Sequence, residues 1–235
     1  MNILLTSCVA LTLSAAASNS SADNAPLRLK IQKNLGSKAT VYEVSNSNVG
    51  GFYRVNIGKK VIYSDRTGRY LFVGSLMDSE KNINITDSDN RDIFSREFKN
   101  LPTKNAIVFK YGSGVRKIAV FEDPECPYCK KLEQNIENLQ NTTVFVYIAP
   151  ILGENSKKLA NLIFCSGNMN YSWRNQMRNN VAPSNKPCNE NASEENLRLA
   201  ANLGISATPT IITSAGNRSA GYLSMAQLNK LIEFN

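Results

Sequence analysis

Residues 126 to 129 read Cys-Pro-Tyr-Cys, after a gap of four residues from the apolar run Ile118 to Phe121 and directly before a helix-like stretch. A thiolate, not a thiol, is the nucleophilic form of cysteine, and the unpaired N–H groups and positive dipole end of a helix favour it. That junction nominates Cys126 as a redox nucleophile. Cys129, one helical turn on, is placed to close or reopen a disulfide with it, and Pro127 suits a first helical turn, where no backbone donor is required. Half a zinc site and an inert structural bridge are the competing readings of the same four residues. Zinc fits poorly because the chain has no His, and Cys165 and Cys188 do not form a second short-spaced pair. The same absence of His excludes Ser-His and Cys-His hydrolases. No metal and no cofactor are expected.

A second element lies far along the chain, at Ala207-Thr208-Pro209-Thr210-Ile211-Ile212. X-Pro is the bond type that adopts the cis form readily, and a cis Thr208-Pro209 bond would leave the Thr208 backbone free to pair with an extended substrate chain. The competing reading is an ordinary trans proline opening an edge strand.

Positioning these groups requires a frame. Ile107 to Lys110 and Lys117 to Phe121 read as strands, a helix opens at the cysteine pair and runs to about Leu139, and Thr143 to Ile148 is again strand-like. Strand, helix and strand in that order give a parallel pair with chemistry gathered at the strand ends. A polar, helix-rich insertion covers about 153–205 and holds Cys165 and Cys188. Thr210 to Thr213 and Arg218 to Gly221 then form a hairpin, and Ser224 caps a last helix with Met225, Leu228, Leu231 and Ile232 on one face.

Upstream, Leu27, Ile31 and Leu35 recur every fourth position before Gly36, which predicts a short helix with a glycine stop. Short Val/Tyr/Phe/Ile-rich pieces follow at Thr40 to Val44, Phe52 to Ile57, Val61 to Ser64 and Tyr70 to Leu76, separated by Gly-containing turns. A small antiparallel sheet over 26–86 is expected. So small a core is marginal alone, and pairing with a second copy would bury its apolar face. Residues 87–105 predict a largely solvated linker helix, leaving 106–235 as the second domain.

A chain that is 42% hydrophobic can bury a real core. Residues 1–17 carry no charged side chain, hold an apolar stretch from Ile3 to Leu13 and end in Ala15-Ala16-Ala17. This resembles a secretory signal peptide cleaved after Ala17. An uncleaved anchor is weakened by the short apolar run, and a lipoprotein signal at Cys8 by the little apolar sequence before it. Cleavage removes Cys8 and leaves Cys126, Cys129, Cys165 and Cys188, an even set that in an exported chain suggests two disulfides. Three pairings are formally possible. The local one joins Cys126 to Cys129 and leaves a structural Cys165–Cys188 bond, whose loop closure is worth roughly 3 kcal/mol in chain entropy. The net charge of +8 suggests acidic partners, but the basic residues are scattered without a base-reading motif, so no nucleic acid is expected.

Phe121 to Lys130, the insertion with its own cysteine pair, and Ala207-Thr208-Pro209-Thr210 together resemble the periplasmic DsbC/DsbG-type thiol:disulfide isomerases of the thioredoxin superfamily. The Cys-Pro-Tyr-Cys tetrapeptide looks more like DsbG, and Gly74-Ser75-Leu76-Met77-Asp78 and the overall length look closer to DsbC. The resemblance implies an α+β N-terminal dimerisation domain, a linker helix and an α/β thioredoxin-like catalytic domain. It implies a homodimer in the periplasm that rearranges wrong disulfides in misfolded exported proteins, kept reduced by a membrane reductant of the DsbD type. Cys126 would be the exposed nucleophile and Cys129 the resolving cysteine, with Pro127, Tyr128, Thr208 and Pro209 contacting substrate. A dithiol oxidase and a chaperone or binding protein are the alternatives.

Overall fold

The computed structural model describes residues 23–233 except Asn48, Lys59, Asn82 and Asn185; the expected signal peptide and Cys8 lie outside the described residues. The first helix, α1 (Ala25–Leu35), is capped by Asn24, whose Oδ1 accepts from Leu27 N at 3.2 Å, and it ends at Gly36, where φ is +58°. Its Leu27 and Ile31 sit on one face four residues apart, and that face buries against Val41, Val44, Val55 and Ile62. These come from a sheet of β1 (Glu43–Asn46), β2 (Phe52–Asn56), β3 (Val61–Asp65) and β4 (Leu71–Phe72), antiparallel and in chain order.

The single strand expected from Tyr70 to Leu76 is instead interrupted. Only Leu71–Phe72 pairs with β3, and after Gly74 the chain forms a separate ribbon of β5 (Met77–Asp78) and β6 (Ile83–Asn84). Gly74 lies against the Phe72 ring, where a Cβ would approach within 3.3 Å.

The helix that follows, α2 (Ile85–Lys99), leaves most of its side chains partly or fully exposed, as expected of a linker, but it is anchored on both sides. Ile93 packs against Val61 and Tyr63 on the far face of the small sheet, and the Tyr63 hydroxyl donates to Asp89 Oδ2 at 2.8 Å. Phe94, one residue on and therefore pointing elsewhere, joins the core of the C-terminal half with Phe121, Tyr147 and Ile212. Helix α2 is thus wedged between two cores. Its polar composition hides this because two adjacent apolar residues serve opposite partners.

The C-terminal half is built on a five-stranded sheet of β7 (Ile107–Tyr111), β8 (Arg116–Glu122), β9 (Thr142–Ile148), β10 (Thr210–Thr213) and β11 (Arg218–Ala220). The spatial order is β11-β10-β8-β9-β7, with β8 and β9 parallel and every other pair antiparallel. Along β8 the side chains alternate: Ile118 and Val120 enter one core, Ala119 and Phe121 the other. The first core is covered by α3 (Pro127–Ile136), α4 (Glu154–Phe164), α5 (Met169–Asn179) and α7 (Met225–Glu233); the second by Phe94 of α2 and by α6 (Ala192–Asn202). Helix α3 stops at Ile136, short of the expected Leu139. Ser224 and Gln227 cap each other's backbone and side chain at the start of α7 as a Ser-x-x-Gln box does. No helix among the described residues is long and apolar enough to cross a membrane.

Candidate functional site

The register of the sheet brings the two distant motifs together. Thr210 pairs with Phe121, so the segment entering β10 and the segment leaving β8 meet at the same end. Thr208-Pro209 is cis, and the Cys126 sulfur lies 3.4 Å from the Thr208 carbonyl oxygen, 82 residues away in sequence. Cys126 occupies the N-cap of α3 with Pro127 following at the first helical position. Both Cys126 and Cys129 are free thiols.

The expected exposed nucleophile is corrected in one respect: Cys126 retains only 5% exposure, and Cys129 is fully buried. What faces solvent is the dipeptide between them, Pro127 and Tyr128, the latter 64% exposed. Thr208 is half-buried and Pro209 buried. The sequence-nominated residues thus form one cluster, with access to the sulfur limited to a narrow opening.

The two thiols are electrostatically unlike. Cys126 falls from 9.0 to about 6, because its thiolate accepts a hydrogen bond from the Cys129 thiol and further ones from the Cys129 and Tyr128 N–H groups and the Thr208 hydroxyl, against the cost of partial burial. Backbone N–H groups at a helix start supply such bonds without rearrangement. Cys129 is pushed far up, first by burial and then by its bond to Cys126.

The loop before Cys126 is held by a residue that sequence reading passed over. Asp123 is fully buried; its Oδ1 accepts from Glu125 N at 2.8 Å and Ser156 Oγ at 2.7 Å, and its Oδ2 from Leu152 N at 2.9 Å. Three donors satisfy the carboxylate away from water. The bonds couple the cysteine loop to the start of α4. Gln176 of α5 adds a bond to the Pro124 carbonyl at 3.2 Å, and Lys130 reaches Asn180 at 2.7 Å. The Asp123-Pro124 dipeptide before Cys126 was the available signal, since Asp favours bonding to backbone N–H groups two residues on.

Cys165, which ends α4, is bonded to Cys188 in the loop before α6, as the cysteine count suggested. The bond spans α5, whose Trp173 is fully buried against the core under Cys129.

Residues 104–235 match the thioredoxin-like domain family, and residues 17–87 match the disulfide bond isomerase protein N-terminal domain. A probable thiol:disulfide interchange protein DsbC of Bordetella parapertussis is 31% identical over 178 residues, 76% of this chain and 63% of that protein. The chain therefore spans 63% of the length of the Bordetella relatives it matches. Thiol:disulfide interchange protein DsbC of Haemophilus influenzae is 25% identical over 233 residues, 94% of this chain and 95% of that one. Among solved structures, a disulfide interchange protein from Neisseria gonorrhoeae superposes with TM-score 0.54 at 31% identity, covering 57% of this chain and 98% of its own.

Proposed function

The chain belongs to the thioredoxin-like domain family and carries the N-terminal domain of the disulfide bond isomerases, and we propose from that membership that it is a thiol:disulfide isomerase and reductase acting on exported proteins. One observation carries the reading: a Cys126 sulfur with depressed pKa at the start of α3, facing the Thr208 carbonyl and backed by the buried Cys129.

The Cys126 thiolate attacks one sulfur of a wrong disulfide. A new sulfur–sulfur bond forms, the substrate bond breaks, and the other substrate sulfur leaves as a thiolate. If a substrate thiolate then displaces Cys126, the disulfide has been moved and no electrons are gained or lost. If Cys129 displaces the substrate instead, the substrate is reduced by two electrons and the enzyme is left with a Cys126–Cys129 disulfide. A membrane reductant of the DsbD type would return it to the dithiol. Thr208 offers a backbone edge to an extended substrate segment, and the exposed Pro127 and Tyr128 provide its apolar contact. The same exposed surface would hold unfolded segments as a chaperone does. The compartment is the periplasm, reached through the signal peptide at 1–17, and the active form is a homodimer joined through the N-terminal domains.

Refolding of a scrambled multi-disulfide protein tests the reading. The Cys126→Ala variant is expected to lose all isomerisation while retaining its fold; full activity in that variant sinks the assignment.

A further inference from the structure

The second face of the large sheet is closed at one end and open at the other. Ala119 and Phe121 of β8 stand there in register with Phe145 and Tyr147 of β9, and Phe94 of α2 and helix α6 pack over the Phe121 end. Toward the start of β8 a cavity of about 490 Å³ remains, walled by Phe98, Leu101, Val115 and Phe145. Phe98 and Phe145 meet edge to face with centroids 6.3 Å apart, and Val115 is 73% exposed beside the mouth. Cavities of this size and apolar lining hold small organic molecules.

The lining is polar at its two ends. Tyr147 is fully buried and its ring is stacked on Phe121 at 5.0 Å, yet its hydroxyl makes no hydrogen bond to any described residue, and burial alone pushes the phenol up. Buried polar groups ordinarily have partners, so a hydroxyl on the cavity wall is a donor and acceptor kept for what fills the cavity. At the opposite end, Lys99 closes α2 and Lys117 stands near the start of β8. Both are exposed, and neither is ion-paired with a described residue. Lys117 lies four positions before Phe121, the register partner of Tyr147, which is about 13 Å of strand.

We propose that this cavity binds a small aromatic carboxylate carrying a hydrogen-bonding oxygen at the end remote from its charge. The ring lies against Phe98 and Phe145, since aromatic rings favour edge and offset contacts with one another. The carboxylate sits between Lys99 and Lys117, and the far oxygen meets the Tyr147 hydroxyl. A neutral apolar compound would leave both ammonium groups and the phenol unused. The net charge of +8 adds a general pull on anions. The seven residues of β8 put the rim about 20 Å from the segment that leads to Cys126, so the site is separate from thiol exchange and does not rest on it. Occupancy fastens the end of α2 to the large sheet.

Calorimetric titration of the full-length chain with three compounds sharing one ring tests this. They are para-hydroxyphenylpropanoate, phenylpropanoate, which lacks the far oxygen, and para-hydroxyphenylpropanol, which lacks the charge. The first is expected to bind saturably at one site per chain, and the second about two- to tenfold more weakly, the worth of one hydrogen bond. Tyr147→Phe should abolish that difference and leave phenylpropanoate binding unchanged. Lys99→Gln combined with Lys117→Gln should weaken both carboxylates about threefold or more, with little effect on the alcohol. These surface changes keep the comparison open should Tyr147→Phe fail to fold, and unaltered thermal unfolding without ligand checks each variant. Absence of saturable binding at millimolar concentrations, or lysine variants with the parent's affinity, overturns the proposal. Binding by a monomeric variant alone would assign the cavity to a second copy of the chain and overturns it equally.

Discussion

At the scale of single residues, the asymmetry between two cysteines one turn apart controls the chemistry. Alkylation of the reduced chain should follow the Cys126 thiolate, with a midpoint near the value of about 6, while Cys129 stays unmodified until the protein is unfolded. Mass-spectrometric mapping after timed iodoacetamide treatment across pH checks this; equal labelling of both sulfurs, or a midpoint at the ordinary thiol value, would contradict it. The sign of the linked stability is fixed by the same shift. A thiol depressed from 9.0 to about 6 stabilises the reduced fold fully above the unfolded value and loses that contribution as pH falls through the folded one. The cysteine pair was legible in sequence because a strand, two thiols and a helix start are local features, and the histidine-free composition removed their rivals. Thr208-Pro209 was legible as a motif, but spacing along the chain left its cis and trans forms open. Asp123 and the bond from the Trp173 indole to Glu133 were not legible, because they depend on who faces whom across α3, α4 and α5, which no spacing along the chain encodes.

Among the elements, α2 decides how the two halves sit. The β10–β11 turn packs onto it through Gly216, where φ is +86° and an added Cβ would collide with the Arg91 carbonyl and fall 2.7 Å from Ser95 N. Ser95 Oγ also donates to the Ser214 carbonyl at 2.9 Å. Gly216→Ala must therefore move turn or helix, and we expect a loss of about 1–3 kcal/mol in thermal or chemical unfolding, the range of overpacked sites. Faster proteolysis within α2 should accompany it, and unchanged stability would mean that the contact yields freely. Helix order, the parallel β8–β9 pair and the terminal hairpin were readable from hydrophobic periodicity. The burial of α2 was not, because Ile93 and Phe94 satisfy two cores at once and leave no amphipathic stripe.

For the whole molecule, the small N-terminal sheet has a modest core and leaves Tyr42, Tyr70, Phe72, Val73, Met77 and Ile83 exposed. A stable monomer rarely leaves so many large apolar side chains uncovered in so small a unit. Sedimentation should show a dimer, and Phe72→Glu combined with Val73→Glu should convert it to a monomer. Such a monomer would still reduce small disulfides through Cys126 but isomerise proteins poorly. A variant that stays dimeric would place the interface elsewhere. The Cys165–Cys188 bond carries a consequence of another kind. It ties down the segment that bears Trp173, whose indole donates at 2.9 Å to Glu133, a buried residue of α3 one turn beyond Cys129. A chain folded in a reducing cell interior would lack that tie, so its cysteine pair would stand on a less firmly held helix. The protein would then acquire its finished site only after some other oxidant had first made a disulfide in it, and its maturation would be timed by the redox conditions that it meets.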